Sequence, residues 1–303
     1  MAQLEPIVYF NGELKPESQA GISIRDRGYL YGDAVFDAAR TFNGTPFRLP
    51  EHVHRLYDSL RYLRIDVGMP EAEMEDWSRQ VVEHNFALLP PGQDMWVMQR
   101  ISRGIEPILP GDVMTPTVLI ETHPIPFARR ASLYRDGAAI FTPSVPRVPP
   151  RFVSPRAKTH NYLNLILGDL EAAASDPDAW SVLLDEAGNL TEGRGSNIFL
   201  VKDGTVATPK GQFVLEGITR GVTMNLATGL DMPVEERDLD LYDAYTADEA
   251  FLTSTSLCIC PISSFNGTPV AGGKAPGVIT RRLMDAFSDT AGMDFEGQYL
   301  AHL

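Results

Sequence analysis

The sequence predicts a two-domain α+β protein, and three observations carry that prediction. Its 303 residues, 44% apolar and 22% charged, are enough for one large core or two smaller ones. Strand-like and helix-like patterns alternate along the chain, with no internal repeat and no low-complexity tail. The run HPIPFARR at 123–130 carries two prolines, which discourage regular structure. The expected division is therefore a small N-terminal domain over 1–122, a linker over 123–135 and a larger domain over 136–303.

The elements follow in order. Ile7 to Phe10 reads as a strand turned by Asn11-Gly12, a strong hairpin signal, and a second strand from about Ala34 to Phe42 turns at Asn43-Gly44. Between Glu51 and Arg64, Val53, Leu56, Leu60 and Leu63 recur at helical spacing, which places Arg55 beside the buried edge of an amphipathic helix. Met95 to Ser102 and Thr117 to Thr122 read as further strands. Beyond the linker, Ala138 to Thr142 is a strand, and the four prolines of SVPRVPPRFVSPRAK keep the approach to Lys158 an ordered loop. Asn161 to Ala174 is a Leu-, Ile- and Ala-rich helix. Short strands are expected at Ser181 to Leu184, Asn189 to Glu192, Asn197 to Val201 and Thr205 to Thr208, with turns at Ala187-Gly188 and Asp203-Gly204. A helix after Gly217, a strand over Glu249 to Leu252 and a last helix at about Gly277 to Ser288 complete the chain.

Composition excludes several classes of function. A net charge of −14 makes nucleic acid and anionic membranes poor partners, so an anionic small ligand needs a local basic pocket. No segment approaches the ~18 uninterrupted apolar residues of a membrane span, and the N-terminus lacks a basic stretch followed by an apolar core, so a cytoplasmic protein is expected. Cys258 and Cys260, one residue apart on a strand, suit neither a disulfide nor a zinc site and read as reduced thiols. His52, His54 and His160 show no metal spacing, so no metal is expected. Gly272-Gly273-Lys274-Ala275 lacks the spacing and hydroxyl of a P-loop.

Four segments are candidates for chemistry. Lys158 stands at an expected loop-to-helix junction, where a cation opposes the helix macrodipole; on local physics a plain surface lysine is the better reading. In Leu215-Glu216-Gly217-Ile218-Thr219-Arg220, a glycine and a hydroxyl open a helix, which makes either a phosphate site of free backbone N–H groups or a simple N-cap at Thr219. Thr253-Ser254-Thr255-Ser256 is either a set of phosphate donors or a polar strand end. Thr191-Glu192-Gly193-Arg194-Gly195 holds one carboxylate in a glycine-studded connection that is not the dinucleotide fingerprint, because a strand follows it.

Taken in order, these segments resemble the class IV aminotransferases, the fold-type IV pyridoxal-phosphate (PLP) enzymes that include branched-chain and D-amino-acid aminotransferases and (R)-selective amine transaminases. The resemblance lies in DRGYLYGDAVFDAAR, FRLPEHVHRL, AKTHNYLNLILG, LTEGRGSNIFLVKDG and LEGITR, and covers nearly the whole chain. It implies a small N-terminal α/β domain and a larger C-terminal domain with a mixed, barrel-like sheet. It also implies that Lys158 carries pyridoxal 5′-phosphate as a Schiff base and shuttles the substrate proton, and that Glu192 pairs with the pyridine nitrogen. Arg55, the N–H groups of Ile218 and Thr219, and the hydroxyls of Thr255 and Ser256 hold the phosphate, with Tyr162 near the ring hydroxyl.

By the same resemblance, Tyr31, Phe36, Arg40, Met98 and Arg100 form the substrate pocket, and a second subunit closes it, so a homodimer is implied. Met98 departs from the usual tyrosine, and Cys258 and Cys260 from the usual polar residues. Ile108 stands where D-amino-acid enzymes trap a carboxylate; Arg27, Arg100 or Arg103 either replaces that trap or only balances nearby acids. The leading expectation is transfer of an amino group from a branched or hydrophobic amino acid to a 2-oxo acid such as 2-oxoglutarate. The alternatives are a D-amino-acid or (R)-amine transaminase and a PLP lyase acting on aminodeoxychorismate.

Overall fold

A computed structural model describes residues 5–107, 109, 113–270 and 274–303. The chain forms two compact units, one running to Ile125 and including Ala157–Asn161, the other comprising Pro126–Arg156 and Tyr162–Leu303.

The first unit contains β1 (Ile7–Phe10), β2 (Glu13–Pro16), α1 (Arg27–Tyr31), β3 (Ala34–Phe42), β4 (Thr45–Pro46), α2 (Leu49–Leu63), α3 (Glu71–Phe86), β5 (Met95–Ser102) and β6 (Thr117–Pro124). Its sheet has the order β2-β1-β6-β5-β3-β4. The expected hairpins form because Asn11-Gly12 and Asn43-Gly44 both take positive φ, as tight two-residue turns between twisted strands require. Side chains alternate across the sheet. Val35, Ala39, Val97, Ile101 and Ile120 pack with Val53, Leu56 and Leu60 of α2 and Met74 and Val81 of α3. Full burial of each such aliphatic side chain contributes about 1.5–3 kcal/mol. The opposite face is built from the other phase, with Phe36 facing Arg100 and Ala38 facing Met98 across β3 and β5, and Met98 facing Glu121 across β5 and β6.

The second unit contains α4 (Phe127–Asp136), β7 (Ala138–Phe141), α5 (Leu163–Ser175), β8 (Trp180–Ser181), β9 (Glu192–Gly193), β10 (Ser196–Lys202), β11 (Thr205–Thr208), α6 (Ile218–Gly229), β12 (Val234–Glu236), α7 (Leu241–Thr246), β13 (Glu249–Ser254), β14 (Cys258–Phe265), β15 (Thr268–Pro269), α8 (Val278–Ala291) and α9 (Phe295–Leu300). Its mixed sheet runs β12-β11-β10-β13-β14-β7-β8. Its core includes Ile198, Leu200, Leu252, Cys260, Ile262 and Phe265. Cys258 and Cys260 are both free and buried.

Several expectations change. The segment 123–135 is not an irregular linker, since α4 takes up most of it. Its prolines stop at Pro126, just before the helix, and Phe127, Ala131 and Tyr134 supply a buried stripe that packs on Tyr299 and Phe295 of α9. The strands expected at Ser181–Leu184 and Asn189–Glu192 shrink to β8 and β9, joined by an isolated bridge between Leu184 and Leu190. The final helix extends to Ala291 and is followed by the unexpected α9. No helix among the described residues is long and apolar enough to cross a membrane, and no group of acidic, His or Cys side chains there could hold a metal ion.

Candidate active site

Lys158 does not sit at a helix start, because α5 begins only at Leu163. Its segment runs along the edge of β3 instead. Phe36 N donates to Lys158 O (3.0 Å) and His160 N to Ala34 O (2.9 Å), while Lys158 N donates to the buried Ser59 Oγ on α2 (3.0 Å). The opposition to the helix macrodipole is thereby removed. Backbone bonds on both sides fix where the amine emerges, and Lys158 Nζ lies 4.7 Å from the centre of the Phe36 ring.

Arg55 projects from α2 towards a buried acid that sequence reasoning missed. Its Nε and Nη2 donate to Asp37 Oδ2 and Oδ1, each at 2.8 Å, and His52 Nδ1 lies 2.7 Å from Oδ1. Burial alone would raise the pKa of Asp37; the Arg55 charge, aided by His52, overcomes it and holds Asp37 below the usual carboxylate range. Burial is the chief cause of a lowered pKa at His52, against the pull of Asp37. The available signal was phase: Asp37 falls between the core positions Val35 and Ala39 of a strand, and a carboxylate buried there requires partners. The guanidinium is thus held in place by a bidentate pair.

In the second unit Glu192 is buried, with 5% of its surface exposed. Arg147 Nε and Nη2 donate to its Oε1 at 3.1 and 2.9 Å, and Leu215 N donates to Oε2 at 2.8 Å. Arg147 was not foreseen, because nothing in its proline-rich loop marks it. Glu192 pairs across the sheet with Asn197, and Asn197 with Thr253. Asn197 Nδ2 in turn donates to Leu215 O at 2.8 Å. The two side chains therefore hold the irregular segment that leads into α6. A side chain at Gly217 would place its Cβ 2.3 Å from Asn197 Oδ1, so only glycine allows this approach.

That approach exposes the start of α6. Its N-cap is Gly217, not Thr219, and no side chain caps it, which leaves its first backbone N–H groups, those of Ile218 and Thr219 included, for an anion. Thr253 Oγ1 and Ser196 Oγ, both buried, have no hydrogen-bond partner. Thr255 and Ser256 form the turn from β13 to β14, closed by Leu257 N donating to Ser254 Oγ (3.0 Å). Ser256 Oγ is engaged by Arg130 Nη1 at 2.6 Å, which anchors the turn to α4. Tyr162 is the residue immediately before α5. A buried carboxylate, an uncapped helix start too tight for a side chain, and unsatisfied buried hydroxyls together fit a phosphorylated pyridine.

The expected pocket residues divide. Phe36, Met98 and Arg100 share the sheet face opposite the core. Arg100 lies 5.4 Å from the Phe36 ring centre, and its Nη2 is 3.2 Å from Met98 Sδ. Arg40 continues the phase of Phe36 and Ala38 but is 1% exposed, with Nε donating to Thr41 O and the guanidinium 4.0 Å from the Phe42 ring. Tyr31 is 62% exposed at the end of α1. Of the alternative carboxylate traps, Arg103 makes a two-point pair with Asp33 (2.8 and 3.0 Å) and Arg27 binds Asp33 and Glu106, so both balance nearby acids. Ile108 lies outside the described residues, as do Gly272 and Gly273.

His160 packs edge-on against Phe36, with ring centres 5.3 Å apart. Burial, and then the Arg100 charge, push its pKa from 6.5 down to about 4. The unfolded chain takes up this proton near pH 6.5 and the folded chain only near 4, so the stability it contributes is complete above 6.5 and is lost as pH falls through that window. The loss is expected to be about 3 kcal/mol. Urea denaturation of His160→Leu should show a shallower decline than the parent over the same pH range, and parallel declines would refute the assignment.

The family model for class IV aminotransferases matches residues 34–265, and the chain belongs to that family. It is 37% identical over 285 residues to a putative branched-chain-amino-acid aminotransferase of Methanocaldococcus jannaschii, covering 93% of this chain and 95% of the relative. It is 30% identical to a D-alanine aminotransferase of Bacillus licheniformis over 93% of this chain and 96% of that one. Among solved structures, the branched-chain amino acid aminotransferase of Escherichia coli superposes with a TM-score of 0.85 at 29% identity, with 94% of each chain covered. A T.th. branched-chain amino acid aminotransferase complexed with N-(5′-phosphopyridoxyl)-L-glutamate gives 0.83 at 29% identity, with 97% of each covered. The fold is thus the two-domain α+β fold of the fold-type IV aminotransferases.

Proposed function

We propose that this PLP-dependent transaminase moves an amino group from a branched or hydrophobic L-amino acid to a 2-oxo acid such as 2-oxoglutarate, as a cytoplasmic homodimer. The observation that carries the reading is that Lys158 and Arg100 both flank the Phe36 ring. An amine for proton transfer and a cation for the side-chain carboxylate of an acceptor such as 2-oxoglutarate thus stand against one apolar surface. Phe36, Met98 and Leu119 give that surface the character suited to an aliphatic side chain.

When bound, pyridoxal phosphate supplies a sink for the electron pair left as the substrate Cα–H bond breaks. Lys158 Nζ accepts that proton. Glu192, steadied by Arg147 and Leu215 N, would set its negative charge against a protonated ring nitrogen. Arg55, oriented by Asp37, and the N–H groups of Ile218 and Thr219 would hold the phosphate, with Thr255 adding a hydroxyl. Ser256 supports the same turn through Arg130, and Tyr162 would serve the ring hydroxyl.

Exposed apolar side chains support the dimer. Leu163, Ile166, Leu167 and Leu170 form a stripe along α5, and Ile22, Ile24, Tyr29 and Tyr31 are exposed in the first unit. Two free, buried thiols accord with a reducing compartment.

Stopped-flow absorbance of the holoenzyme tests the substrate. L-leucine and L-isoleucine should bleach the cofactor band and a 2-oxo acid restore it. Response to D-alanine or (R)-1-phenylethylamine alone would replace this reading with the D-amino-acid or amine one, which the Bacillus licheniformis relative keeps in view.

A further inference from the structure

The sheet face that carries Phe36 and Arg100 also carries an acid to which none of the roles above is attached. Glu121 on β6 lies diagonal to Arg100, and Arg100 Nε donates to Glu121 Oε1 at 2.6 Å. Their side chains are 31% and 17% exposed, so the pair is partly withdrawn from water but reachable. We propose that Glu121 is a specificity-determining residue, which by holding the Arg100 guanidinium weakens the pocket's grip on substrates with a second carboxylate relative to those with an apolar side chain. This rests on the reading that Arg100 faces substrate.

The argument is electrostatic. Arg100 and Glu121 cancel one another, so an incoming carboxylate must share the guanidinium with an acid already bound to it and meets like charge beside it. Burial would raise the pKa of Glu121, yet His123 and Arg100 bring it down to about 2, so Glu121 is ionised at neutral pH. His123 Nε2 stands 3.4 Å from Glu121 Oε2 and gives it a second partner. When a dicarboxylate draws on Arg100, Glu121 is therefore not left as an isolated charge, and the pair can be divided rather than merely broken. An aliphatic side chain meets Phe36, Met98 and Leu119 and makes no demand on Arg100.

Calorimetric titration of the holoenzyme with glutarate and with 4-methylpentanoate isolates the effect from turnover. Glu121→Gln, which keeps shape and removes charge, should tighten glutarate about tenfold and leave 4-methylpentanoate within about twofold. Steady-state kinetics should show the same split, with a lower KM for 2-oxoglutarate than in the parent enzyme and little change for 4-methyl-2-oxopentanoate. Glu121→Ala should act in the same direction, which covers the case where the glutamine amide re-forms a bond to Arg100. In an Arg100→Met background the gain should vanish. Unchanged or weaker glutarate binding, an equal gain for both acids, or a gain that survives without Arg100 would each overturn the proposal. An enzyme that transaminates none of the amino donors would sink the functional reading instead, and the glutarate titrations would still decide the role of Glu121.

Discussion

Replacing Lys158 with alanine is expected to abolish both the absorbance of lysine-linked cofactor and turnover, with kcat down by about 10⁴ or more, since nucleophile and base are lost together. The fold should survive, because the segment is held through its backbone: Lys158 N to Ser59 Oγ, and Phe36 N to Lys158 O. The measurement is therefore paired. Absorbance and kinetics report the chemistry, and thermal melting reports the fold. A variant that melts like the parent and has lost its band supports the assignment, whereas one that retains band and turnover removes Lys158 from the site.

Glu192→Gln is expected to cost about 10²-fold or more in kcat while cofactor still binds, because the groups proposed to hold the phosphate belong to other residues. The same change removes the counter-charge of Arg147. Arg147 is 13% exposed, so a guanidinium left there without its carboxylate should also destabilise the protein by about 3 kcal/mol. The two effects separate in the double variant with Arg147→Gln, which should regain much of the stability and none of the activity. Urea denaturation and steady-state kinetics on the three proteins decide it. If activity returned with stability, Glu192 would be a structural partner of Arg147 rather than the group that faces the pyridine nitrogen.

The site was legible where local pattern and chemistry coincide. Gly217 followed by an apolar run announced a helix start, either open to an anion or capped by Thr219, and the structure shows it uncapped. The phase of Val53, Leu56 and Leu60 placed α2 and the position of Arg55 on it. Lys158 could not be judged in the same way, because its setting depends on β3, more than a hundred residues earlier, whose edge it covers. Asp37, Arg147 and Glu121 were missed for a related reason: each takes its meaning from a partner on another element, namely Arg55, Glu192 and Arg100.

Sequence alone determined the alternation of strands and helices, the tight Asn-Gly turns and the order of the segments that resemble the family, because φ preference, hydrophobic period and chain order are local properties. It could not tell that α4 replaces the proline-marked linker, since a helix of marginal propensity is stabilised by burying Phe127 and Tyr134 against α9. Nor could it tell which arginines are spent on acids. Arg27 and Arg103 on Asp33, Arg55 on Asp37, Arg147 on Glu192 and Arg100 on Glu121 are pairings across 6 to 70 residues of chain. Charge interaction falls with distance in space, and only the tertiary structure sets that distance.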